Sequence, residues 1–117
     1  MSTPHDMPAR TPLAEAFALL SPDRPFATLF EDGEAISVEL YAPVGTDRQT
    51  PHDRDELYIV ASGDGLFSRA GDTVPFSAGD LLFVPAHQTH RFERFSDDFK
   101  VWVIFYGPIR ALVRPSP

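Results

Sequence analysis

Between Ile36 and Tyr41 the chain reads ISVELY, with Ile36, Val38 and Leu40 on one parity and Ser37, Glu39 and Tyr41 on the other. A period of two is the pattern of a β-strand, whose successive side chains point to opposite faces. Pro43 and Gly45 end this run. The alternating or compactly apolar segments ELYIVAS, GLFSRAG, TVPF, LLFVP, HRFERF and FKVWVIFY follow, and the change of pattern begins near Phe26. Gly63–Asp64–Gly65 predicts a hairpin, Ala78–Gly79–Asp80 a turn of unspecified kind, and Ser96–Asp97–Asp98 separates the last two strands. TVPF predicts an edge strand, because its proline cannot donate to a ladder. Ahead of the strands, PLAEAFALL predicts one short helix, with Thr11 as cap, Pro12 in the first turn and Ser21–Pro22 as the stop. Residues 1–11, which include His5, are polar and proline-marked and predict a flexible arm. Residues 12–117 then form one domain.

Roughly eight short strands with regular turn signals predict an all-β fold, a small antiparallel barrel or jelly roll, because closure removes exposed edges. The strand FKVWVIFY is apolar on both faces: Phe99, Val101, Val103 and Phe105 on one, Trp102, Ile104 and Tyr106 on the other. A barrel interior absorbs only one of them. The other calls for the N-terminal helix or a second subunit, so a homodimer is expected, with Ile109, Leu112 and Val113 able to join the contact.

Composition narrows the function classes. The 117 residues suit a single domain. The formal charge is −7 and Lys100 is the only lysine, so a nucleic-acid partner, which needs clustered cations, is not expected. Without cysteine there is no disulfide, no thiolate nucleophile and no Cys-ligated zinc. No apolar run is long enough for a membrane span and no signal-like segment opens the chain, so a cytoplasmic location is expected.

The chemistry gathers in two stretches, PHDRDELYIVASG and GDLLFVPAHQTH. On one straight strand His52 and Glu56 would stand roughly 13 Å apart, too far to share a metal. A polar turn at Asp53–Arg54–Asp55 brings them together if His52 closes one strand and Glu56 opens the next. Glu56 then shares a face with Tyr58 and Val60. His90 arrives from a second hairpin after Pro85. Two histidines and a carboxylate suit Fe, Mn, Zn or Ni and leave coordination positions open for a small-molecule ligand or substrate. The alternative is a pair of hydrogen-bonded histidines lining a metal-free pocket. Tyr58 either donates a hydrogen bond to a metal-bound substrate or packs in the barrel. Arg69 and Arg94 are candidates to meet an anionic substrate, and Gln49 and Thr50 to hold a metal-bound water.

These two stretches resemble the paired motifs of the cupin family. Gly45, His52, Glu56 and Gly63 match the first motif, and Gly79, Pro85 and His90 the second, so the resemblance spans about residues 33–106. It implies a double-stranded β-helix barrel and a metal held by His52, Glu56 and His90. It leaves the activity open between metal-dependent enzymes, such as dioxygenases, isomerases and lyases, and non-catalytic binding or sensing modules. The sequence departs from the family in two places. Thr50 stands where the first motif has another histidine. His87 stands where the Pro-x-Gly turn has its glycine, so if that glycine takes a positive φ, either His87 bears some strain or the turn differs. His87 is also a candidate acid–base or substrate-contact group at the barrel mouth.

Overall fold

The computed structural model describes residues 7–112, so His5, most of the expected arm and Val113 lie outside the described residues. One helix, α1 (Leu13–Phe17), is followed by eight strands: β1 (Phe26–Asp32), β2 (Ile36–Tyr41), β3 (Asp55–Ser62), β4 (Asp64–Arg69), β5 (Asp72–Ser77), β6 (Leu81–Val84), β7 (His90–Phe95) and β8 (Lys100–Tyr106). The helix is shorter than its apolar pattern suggested. Pro12, with extended backbone, occupies the N-cap position and no side chain caps the turn, so Thr11 does not play that part.

The strands form two antiparallel sheets, one of five strands in the order β1-β2-β8-β3-β6 and one of three in the order β5-β4-β7. The expected barrel of short antiparallel strands is therefore present. β5, with Pro75, lies at a sheet edge as its proline requires. The two-residue turn Ala70–Gly71 joins β4 to β5 with both φ values positive, at 49° and 91°, the twist that favours a tight hairpin.

Three expected hairpins are something else. β3 pairs with β6 and β8, whereas β4 pairs with β5 and β7. Gly63, at φ 86°, therefore turns the chain from one sheet into the other. The passage from β6 to β7, which delivers His90, is likewise a crossing between sheets. The third correction concerns Asp53–Arg54–Asp55. His52 lies on the irregular segment between β2 and β3, not at the end of a strand, and β2 pairs with β8.

The core lies between the sheets and is strongly aromatic. Phe92 packs against Phe67, Phe76 and Phe99 with ring centroids 4.9, 5.5 and 4.8 Å apart. Each such pair adds about 0.5–1.5 kcal/mol beyond the area it buries. Directly paired residues share a face, so register fixes what points inward. One row runs Glu39–Val103–Tyr58 and the next Ser37–Phe105–Glu56. β2 thus turns its polar parity into the barrel. Its apolar parity, Ile36, Val38 and Leu40, lies on the outer face with Tyr106, Ile104 and Trp102.

Candidate metal centre

Glu56 sits in the second position of β3, which turns its side chain into the barrel, and it is fully buried, as is Tyr58 two residues on. His90 is the first residue of β7, in the opposite sheet, and is buried. His52 comes from the segment preceding β3, its ring edge-on to Phe105 at 4.9 Å between centroids. The structure brings these three together: one ligand atom from each lies within 4.8 Å of the others. His90 Nε2 is 3.0 Å from Glu56 Oε1 across the gap between the sheets.

The polar atoms here are unusual for what they lack. With His90 neutral, His52 Nε2, His90 Nε2 and both carboxylate oxygens of Glu56 are buried and have no hydrogen-bond partner; His90 Nε2 and Glu56 Oε1 can bond to each other only when His90 is protonated. Buried polar groups are nearly always paired, and an unpaired one costs about 1–3 kcal/mol. One atom from each of the three residues lies near the other two, and such a cluster needs a common partner. His90 Nδ1 lies 2.9 Å from the Gln88 carbonyl oxygen, so Nδ1 carries the proton and donates it there. That tautomer leaves a lone pair on Nε2, the arrangement of a metal-ligating histidine. The donor set and its geometry fit a divalent transition metal. In the metal-free site, burial acts to lower the His90 pKa, but hydrogen bonding to Glu56 and the Gln88 carbonyl outweighs it and the net direction is up.

A cavity of about 390 Å³ opens beside His52, with Glu39, Tyr41, Gln49, Thr50 and Phe105 among its walls. Thr50 is exposed at this wall and is not among the converging ligands. Tyr58 donates its hydroxyl to Gln49 Oε1 at 3.0 Å. Burial first, and then the nearby Glu56, hold its phenol well above the ordinary tyrosine range. Neither Arg69 nor Arg94 lines the cavity. Arg69 is exposed and donates to the Phe83 carbonyl, and Arg94 is exposed on β7; the arginine at the cavity wall is Arg48.

His87 adopts φ 68°, the positive value considered for its position in the turn. It lies outside the converging group. Its amide donates to the His52 carbonyl at 2.6 Å, and its Nε2 lies 2.6 Å from the Arg110 carbonyl. Arg110 also reaches Asp55, which additionally accepts from the Ala86 amide, and these contacts, Ala86 foremost, hold Asp55 below the usual carboxylate range. The chain after β8 therefore straps together the two loops that carry the histidines.

Sequence reasoning missed two carboxylates. Glu39 faces inward from β2 toward the cavity, and burial first, then Glu56 and Glu31, raise its pKa. The inward parity of β2 was the only available signal, and the apolar parity competed with it for the interior. Asp47 is 1 % exposed although it lies in a polar, irregular stretch.

A family model described as a cupin domain matches residues 37–106. An uncharacterized protein of Streptomyces coelicolor is 40% identical over 75 residues, covering 62% of this chain and 71% of that protein. The HTH-type transcriptional activator RhaS of Yersinia pestis is 33% identical over 73 residues, covering 62% of this chain, and the chain spans only 27% of the activator's length. Among solved structures, a cupin 2 conserved barrel domain protein from Salinispora arenicola superposes with a TM-score of 0.64 at 22% identity, covering 86% of this chain and 89% of that one.

Proposed function

The chain belongs to the cupin family, and from that premise we propose that it is a metal-dependent enzyme acting on a small molecule, with the metal held by His52, Glu56 and His90. The observation that carries this reading is the convergence of ligand atoms from three residues, on two sheets and a loop, that are buried without a hydrogen-bond partner outside the group. When bound, such a metal supplies dioxygenase-type oxidoreductase chemistry if it is iron, and Lewis-acid isomerase or lyase chemistry if it is zinc or manganese. Three protein ligands leave room for a substrate, and the cavity beside His52 supplies the space for it. Phe105 and Val103 exclude water from its inner wall, while Glu39 and Thr50 offer polar contacts. Tyr58, buried and held by Gln49, keeps its proton and serves as a hydrogen-bond donor beside Glu56. His87 enters as an acid–base group at the mouth, and its ring has to leave the Arg110 carbonyl before it meets a ligand.

A second reading, a non-catalytic binding or sensing cupin, is favoured by Thr50 in place of a family histidine and by the likeness to a transcriptional activator. Metal uptake separates the two. Chelator-treated protein is offered Fe(II), Mn(II), Zn(II) or Ni(II) and assayed for bound metal and melting temperature. The enzyme reading expects about one metal per chain and a raised Tm, since a ligand bound only by the folded state stabilises it. It also expects His90→Ala to remain folded and lose affinity by on the order of 100-fold or more. Uptake below about 0.1 per chain for all four metals would favour the binding module.

A further inference from the structure

Asp47 is almost completely buried, and among the described residues no cation pairs with it. Burying a carboxylate costs several kcal/mol unless its oxygens are satisfied. Here they are. Oδ1 accepts from the Tyr41 hydroxyl at 2.6 Å and the Gln49 amide at 3.1 Å. Oδ2 accepts from Gln49 Nε2 at 3.1 Å and from the Phe92 amide at 2.9 Å. Four donors match the capacity of an acceptor-only group.

The identity of those donors matters more than their number. Asp47 lies five residues before His52 on the same irregular segment, and Phe92 lies two after His90. β7 is an edge strand paired only with β4, so the Phe92 amide is turned outward and Asp47 closes that edge. The bond from Phe92 to Asp47 thus ties the segment bearing one histidine to the strand bearing the other. Gln49, fixed by Asp47 through both its amide groups, holds the hydroxyl of Tyr58, two residues beyond Glu56. One carboxylate is therefore linked to the neighbourhood of all three ligands.

We infer that Asp47 is a positioning residue that sets the metal affinity of the His52–Glu56–His90 centre by fixing the spacing of its three ligands. The inference rests on the metal reading above. Its test is a direct titration of chelator-treated protein with Zn(II) and Co(II), comparing wild type with Asp47→Asn, alongside the melting temperature of the metal-free proteins and the visible spectrum of the Co(II) forms. Asparagine keeps the shape but turns an NH₂ toward one of the donors. The expected result is folded protein with affinity reduced about 10- to 100-fold and a shifted Co(II) band, because ligand orientation has relaxed. A purely structural role would lower Tm and leave the affinity and spectrum of the folded protein unchanged, and that result would overturn the inference while leaving the metal reading intact. Failure of wild type to bind either metal would overturn both. If Asp47→Asn does not fold, Gln49→Leu carries the test at a half-buried position. It is expected to lose about 3- to 10-fold in affinity, the scale of one hydrogen bond, and wild-type affinity in that variant would reject the inference.

Discussion

Glu39 is a carboxyl group placed where its charge is unwelcome. It shares the inner face of the five-stranded sheet with Tyr58 and Glu56, and among the described residues it forms no ion pair and no side-chain hydrogen bond. Its raised pKa has burial as the first cause and the negative charges of Glu56 and Glu31 as the next. A pKa raised on folding means that the folded state holds the proton more tightly than the unfolded chain. The resulting stability is fully present below the ordinary value of 4.5 and is lost as pH rises through the higher folded value. Glutamine mimics the protonated acid at every pH. Metal-free Glu39→Gln should therefore melt above wild type at pH 7, by a modest amount on the order of 2 °C because the side chain keeps some contact with water. The difference should vanish near pH 4. A lower Tm than wild type at pH 7 would show that a donor reaches the ionised carboxylate after all.

At the scale of elements, Gly65 allows β4 and β7 to approach closely within the three-stranded sheet. A Cβ there would stand 1.9 Å from the Arg94 carbonyl oxygen and 2.8 Å from Phe95 Cα, both of them backbone of β7. No flexible side chain is available to move aside. Gly65→Ala should cost about 2–4 kcal/mol by forcing the β4–β7 pairing apart, whereas Gly71→Ala, in open space at φ 91°, should cost only about 1 kcal/mol of backbone strain. Denaturant melts of the two variants test this, and equal losses would mean that β7 yields. The same region shows what the sequence could and could not reveal. Strand positions were readable because alternation is local, and Tyr58 and Val60 fell on the face of Glu56 as the period of two demands. Strand partners were not readable. A glycine-rich turn between two strands looks the same whether it closes a hairpin or crosses between sheets, and Gly63 does the latter. The ligands stood out as a glutamate and a histidine at or next to strand starts, Glu56 and His90, and a second histidine, His52, in the polar stretch just ahead of β3. Asp47 did not, because an aspartate in a loop resembles a turn residue and its partner amide at Phe92 lies 45 residues away.

For the whole molecule, the outer face of the five-stranded sheet sets the last expectation. It carries Trp102 and Ile104 of β8, flanked by Leu57 and Ile59 of β3 and by Leu81 and Phe83 of the edge strand β6. The helix was expected to cover part of this face. It has five residues, and its Phe17 meets β8 at Lys100, whose ammonium lies 4.4 Å from the ring centroid. Toward β6 the face stays open, with Ile59 at 38%, Phe83 at 40% and Leu81 at 64% exposure. Contiguous apolar area of this kind usually marks an interface, and two-fold pairing of like faces closes without leaving a free copy of it. A dimer contact is therefore expected to centre nearer β6 than Trp102 alone would place it. Each chain carries a formal charge of −7, so association should strengthen with salt. Light scattering at micromolar concentration should give about twice the chain mass of 13.0 kDa. Phe83→Glu should return the mass to that of one chain, with strand content retained, because its side chain lies on the outer face and supports no core contact. A wild-type mass of one chain in both low and high salt would reject the dimer. A dimer insensitive to Phe83→Glu but broken by Trp102→Glu would move its centre back to β8.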